Sequence, residues 1–194
     1  MPSRVLTGRE EAMRAGSGAE QRVADELGRA LGQEWVLFRG YRNSRGEIDG
    51  VLLGPGGLFA YEVKYHNATV YISGDAWAGE KYDNYGNLVE PRRPIVDRGS
   101  RGRSPSQQLN EPAGALAAWL SRRGHRVEIA RVVLLTHPKA RIGSSNGATV
   151  RVVTSPAGLL RLAEGSGLRL GAQQRAEIAE GIRRDHRHHN GSRR

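Results

Sequence analysis

Glu47-Ile48-Asp49 and Glu62-Val63-Lys64 are the stretches whose residue types and spacing could do chemistry. They sit in two apolar runs, residues 47–53 (EIDGVLL) and 58–64 (LFAYEVK), joined by Gly54-Pro55-Gly56-Gly57, a hairpin turn signal. In the register that closes Leu53 on Leu58, Asp49 falls opposite Glu62 and Glu47 opposite Lys64. Side chains alternate along a strand, so Asp49, Glu62 and Lys64 share one face and Val63 points to the other. Two carboxylates facing each other across a ladder repel. A hard divalent cation between them turns that repulsion into coordination, because Mg²⁺ prefers carboxylate oxygens and water. A lysine one step further can orient or deprotonate an attacking water. The chemistry on offer is metal-assisted hydrolysis.

Plainer readings compete: Lys64 can simply pair with Glu47 across the hairpin, with Glu62 left in solvent. Phe59, Tyr61 and Val63 argue instead for a buried strand, where a charged residue needs a reason. Lysine is also rare. The chain has 27 arginines and three lysines, Lys64, Lys81 and Lys139. Where any cation serves, arginine is what appears, so a lysine at 64 points to a role that a planar, permanently protonated guanidinium cannot fill. Lys81 and Lys139 carry no such argument.

Other elements must hold these strands. Ser17 is placed to cap a helix running to about Leu31, with Val23, Leu27 and Leu31 as its buried stripe. Residues 35–41 and 68–73 read as strands, and residues 77–89 as a small hairpin around Tyr85-Gly86-Asn87. A helix reaching about Arg122 carries Leu109, Ala113, Leu116 and Leu120 on one face. Residues 127–136 and 148–153 read as strands, Ser155-Pro156 opens a short helix, and residues 172–184 form the last one. This order predicts an α/β domain with a mixed central sheet and helices on both faces.

Composition narrows the class. With no cysteine, disulfide scaffolds, thiolate metal sites and a cysteine nucleophile are excluded. No apolar stretch is long enough to span a membrane, and residues 1–16 lack a signal-peptide core, so a soluble, cytoplasmic protein without membrane contact is expected. The net charge of +10 suggests a polyanionic partner, most simply nucleic acid. Residues 92–103 and 183–194 each hold five arginines against one aspartate, which leaves the rest of the chain close to balance. The first stretch (RRPIVDRGSRGR) reads as a mobile loop and the second (RRDHRHHNGSRR) as a frayed basic tail. Solvated arms without a specific role are the bland alternative for both.

Taken in order, Gly16-Ser17-Gly18-Ala19-Glu20 with Arg22-Val23, Glu47-Ile48-Asp49, Gly54-Pro55-Gly56-Gly57-Leu58-Phe59, Glu62-Val63-Lys64 and Ser104-Pro105-Ser106-Gln107-Gln108 resemble the NERD (nuclease-related) domain of the PD-(D/E)xK nucleases. The resemblance covers roughly residues 14–136. It implies a restriction-endonuclease-like core and a metal-dependent nuclease acting on DNA. Asp49 and Glu62 would bind Mg²⁺ or Mn²⁺, helped by the backbone carbonyl of Val63. Lys64 would position the attacking water and offset charge in the transition state. Glu20 would add an outer-shell or second-metal carboxylate, and Gln108 would orient a helix end or contact phosphate. An ordinary exposed helix acid and a surface glutamine are the respective alternatives.

The domain so read spans residues 17–184, with an extension at 1–16, a basic insertion at about 74–103 and a basic tail at 185–194. Arg92, Arg93, Arg98, Arg101 and Arg103 are the expected nucleic-acid contacts, and the insertion would be a lid or a substrate clamp. Pro112 raises a question, since a proline inside a helix removes the bond to the carbonyl four residues back, that of Gln108. Either the helix begins near Asn110 or it kinks. His186, His188 and His189 read as solvated, and only Tyr82 and Tyr85 suit base stacking. Targeting is left to a separate partner, a homo-oligomer or the insertion. The rival function is a nucleic-acid-binding or assembly module that keeps the fold without useful turnover.

Overall fold

The computed structural model describes residues 8–97, 102–167 and 169–191. The hairpin forms in the expected register. Strands β2 (Gly46–Gly54) and β3 (Gly57–Lys64) pair antiparallel from Gly54–Gly57 through Leu53–Leu58 to Gly50–Tyr61. β1 (Val36–Asn43) flanks β2, and the register skips the pair between Arg39–Gly50 and Tyr41–Ile48, where Gly40 takes a positive φ of 57° beside Asp49. Both ladders around Asp49 are therefore interrupted at that residue.

On its other edge β3 pairs in parallel with β7 (Ile129–Leu135), which pairs in parallel with β9 (Arg151–Val153). This mixed sheet has the order β1-β2-β3-β7-β9. One face is covered by α1 (Gly8–Ala30) and α3 (Pro156–Glu164), which bury Ala19, Val23, Leu27, Leu159 and Ala163 against Phe59, Tyr61, Val63 and Val132. The opposite face is covered by α2 (Pro105–Ser121) and α4 (Ala172–Gly191). There Leu109, Ala113, Leu116, Leu120, Ile178 and Ile182 meet Leu58, Ala60 and Val133. The result is a restriction-endonuclease-like α/β core with helices on both faces. No helix among the described residues is long and apolar enough to cross a membrane.

A second sheet adds to this core. β4 (Thr69–Ser73), β5 (Ala76–Tyr82), β6 (Leu88–Pro94) and β8 (Arg141–Asn146) pair in the order β6-β5-β4-β8. Val70, Ile72 and Trp77 seat it on the α2 side of the core, and Trp77 Nε1 donates to Ser106 Oγ on α2 at 2.7 Å.

Several expectations need correction. α1 starts at Gly8, so Ser17 lies inside it and is not its cap; the good helix formers of residues 10–15 carry the helix through Gly16 and Gly18. Arg92–Pro94 are not loop but the end of β6, because the β4–β5 hairpin offers them a sheet edge. α2 begins at Pro105 under a capping box in which Ser104 accepts from the Gln107 amide and the Gln107 side chain accepts from the Ser104 amide. It does not begin near Asn110, and Pro112 sits within it. The last helix runs on to Gly191, so residues 185–191 are not a frayed tail.

Gly50 matters for the site because Tyr61 lies over it. A Cβ at position 50 would stand 2.1 Å from Tyr61 Cζ, and the ring is fully buried. Gly50→Ala is expected to destabilise the protein by about 1–3 kcal/mol. A melting temperature equal to that of the parent would show that the ring has room to move.

Candidate active site

Where the β2–β3 ladder ends, a side chain takes over. The Val63 amide donates to Asp49 Oδ2 at 2.7 Å, so the carboxylate occupies the place of the next rung. Glu62 and Lys64 lie on the α2 face of β3, in alternation with Tyr61 and Val63 on the α1 face. Glu62 is 7% exposed. Lys64 Nζ donates to Glu62 Oε1 and to Gln108 Oε1, each at 2.8 Å. Gln108 Nε2 in turn donates to the Arg103 carbonyl at 2.9 Å, so both ends of its amide are fixed and their chemistry sets the orientation. Placing Gln108 in the first turns of α2 is what the capping box achieves. Glu47 bonds Arg42 on β1, and so the pairing of Lys64 with Glu47 is not found.

The electrostatics are those of crowded acids. Burial pushes the Glu62 carboxyl up to about 7, and the Asp49 charge adds to the rise while Lys64 opposes it. Asp49 is raised mainly by burial, with the Val63 N–H and Lys64 pulling the other way. Glu20 on α1 is raised by burial and by Asp49. Carboxylates thus outnumber the one lysine among them, a deficit that a divalent cation would relieve. Among the described residues no three His, Asp or Glu side chains gather closely enough to hold a metal. A pair suits Mg²⁺, which is commonly bound through one or two carboxylates plus waters and substrate phosphate. The donor set fits.

Beside Lys64 opens a cleft of about 310 Å³ lined by Lys64, His66, Ile95, Val96, Asp97, Pro105 and Gln108. His66 escaped the sequence reading. Burial and the Lys64 charge push its imidazole below the usual histidine value, which favours the neutral ring. The available signal was its spacing, two residues after Lys64 and so on the same side of an extended chain.

A family model described as the nuclease-related domain, NERD, matches residues 15–136. The chain belongs to the NERD family. No curated protein and no solved structure matched it. The NERD match runs from α1 to the end of β7 and takes in Glu20, Asp49, Glu62, Val63, Lys64 and Gln108; β8, β9, α3 and α4 lie beyond it.

The basic residues divide. Arg92 and Arg93 lie on β6, the exposed outer strand of the second sheet. Arg92 Cζ stands 3.6 Å from the Tyr71 ring centroid, and its Nε donates to Glu80 at 2.7 Å. Arg103 donates to Glu111 at 2.7 Å and bridges back to Asp97, next to the Lys64 cleft. Arg98 and Arg101 lie outside the described residues. Tyr85 is 91% exposed at the tip of the β5–β6 hairpin. The tail histidines are not simply solvated: His186 Nδ1 accepts from the Arg42 amide at 3.1 Å, and His189 Nδ1 lies 3.3 Å from Asp185.

Proposed function

We propose that this NERD-family protein is a metal-dependent nuclease that hydrolyses DNA phosphodiester bonds at Asp49, Glu62 and Lys64. The observation that carries the proposal is the Lys64 ammonium held at 2.8 Å from both Glu62 and Gln108, beside the buried carboxylate of Asp49. That arrangement leaves one donor of a three-donor cation for a water or a phosphate oxygen.

Asp49 and Glu62, with the carbonyl of Val63, would hold Mg²⁺ or Mn²⁺, which supplies Lewis-acid polarisation of the phosphate. The protein's own residues supply the rest. Lys64, oriented by its two acceptors, places a positive charge where negative charge develops on the phosphorus oxygens and holds the attacking water in line. Gln108 keeps Lys64 aimed, and its own anchor on the Arg103 carbonyl ties that aim to the loop walling the cleft. Glu20 deepens the negative potential that draws the cation in.

Purified protein incubated with linear, nicked, supercoiled and single-stranded DNA is expected to cut at least one form in Mg²⁺ or Mn²⁺ and none in EDTA. Binding without cleavage under every condition would favour the assembly-module reading.

A further inference from the structure

The second half of α4 is an unusual helix to keep docked. Up to Ile182 it is anchored by the apolar residues Ile178, Ala179 and Ile182. Beyond that point the deeply buried side chain is an aspartate: Asp185 is 2% exposed. It accepts a hydrogen bond from the Tyr41 hydroxyl on β1 and faces His189, while His186 receives the Arg42 amide and stacks on Tyr41. Burying a carboxylate is expensive unless it is well partnered. What this latch holds in place is a row of exposed arginines, Arg183, Arg184 and Arg187.

Together with β1, Arg183 and Arg187 line a pocket of about 210 Å³ formed by Phe38, Arg39, Tyr41, Arg183, His186 and Arg187. Its floor is aromatic, with Arg183 Cζ 5.6 Å from the Phe38 ring centroid. Arg187 is paired with Glu180 at 2.9 Å, an exposed contact of the weak, exchangeable kind. β1 adjoins β2, the strand of Asp49, and Tyr41 lies across from Ile48 at the same end of the sheet. Ile95, Val96 and Asp97 stand on the other side, where they wall the Lys64 cleft.

We propose that the α4–β1 pocket binds the phosphodiester backbone of nucleic acid, so that substrate is gripped on the β1 side of the catalytic strands as well as on the β3 side. The proposal rests on the nuclease reading for its ligand. Guanidinium groups recognise phosphate bidentately, and the aromatic floor accepts a sugar or an unstacked base. The α4 residues of the site lie beyond the NERD match, whereas Phe38, Arg39 and Tyr41 lie within it.

The test measures DNA affinity in EDTA across a salt series. The triple substitution Arg183→Gln, Arg184→Gln, Arg187→Gln is expected to weaken binding at least tenfold. It should also flatten the slope of log K against log salt by about two to three, since each phosphate contact contributes about 0.9. The corresponding arginine-to-lysine triple should keep the slope, and an unchanged melting temperature should accompany both. Substituting the exposed Arg122, Arg123 and Arg126 by glutamine removes equal charge elsewhere. An equal loss there, or no loss in the α4 triple while the parent binds, overturns the site and leaves the nuclease reading standing. A parent protein that neither binds nor cuts DNA overturns both. An arginine-dependent affinity for a free mononucleotide, with DNA binding unchanged, also overturns it.

Discussion

Lys64→Met is expected to yield a protein that folds, binds DNA and cuts it at least about 10²–10³-fold more slowly in Mg²⁺. The Lys64 side chain is 16% exposed and packed between Glu62 and Gln108, and methionine preserves the stem while removing the charge. Without its ammonium partner Glu62 protonates more readily, which limits the cost to folding. Lys64→Arg should fail almost as badly. The guanidinium is a rigid planar fork, whereas the two acceptors at 2.8 Å are arranged around a compact point donor. Single-turnover cleavage separates chemistry from binding in both variants. A parental cleavage rate in either would remove Lys64 from the mechanism.

Glu62→Gln should move activity and stability in opposite directions. The folded protein retains the Glu62 proton up to about pH 7, while the unfolded chain releases it near 4.5. Between those values the native state holds more protons than the unfolded state, so parental stability falls as pH rises through the window. Glutamine does not titrate. The stability advantage of the variant should therefore be near zero at pH 4.5, grow towards pH 7 and level off above it, at about 1–3 kcal/mol. Cleavage should be lost, and Mg²⁺ at pH 7.5 should raise the melting temperature of the parent but not of the variant. A difference that does not vary with pH would place the cause outside the Glu62 carboxyl.

What could be read from the sequence was whatever local patterning controls. The Pro55-Gly56 turn and the alternation in residues 47–64 specify one register, because a slip by one residue would turn Leu53 and Leu58 to the wrong face. That register carries Glu62 and Lys64 up to Asp49, whose carboxylate takes the Val63 amide where the ladder ends. The stripe Leu109–Ala113–Leu116–Leu120 was equally plain and is fully buried. Elements without an apolar pattern were missed. β8 reads RIGSSN and is held by pairing with β4, not by a hydrophobic face. Arg92 and Arg93 look like loop residues until β5 offers them an edge. The end of α4 resembles a solvated tail because its fixing point is an aspartate whose partner, Tyr41, lies 144 residues away in the chain. His66 was passed over because its only signal, standing two residues after Lys64, lies beyond the end of the apolar run.

The contact between His186 and the Arg42 amide has one more effect. β1 is the outermost strand of its sheet, and Arg42 turns its N–H away from β2. An outer strand with free backbone donors is a template on which a foreign strand can grow. Here an imidazole from the end of α4 takes one of those donors, and the helix lies along the edge. The clasp that presents the arginines thus also guards the sheet against edge-to-edge aggregation.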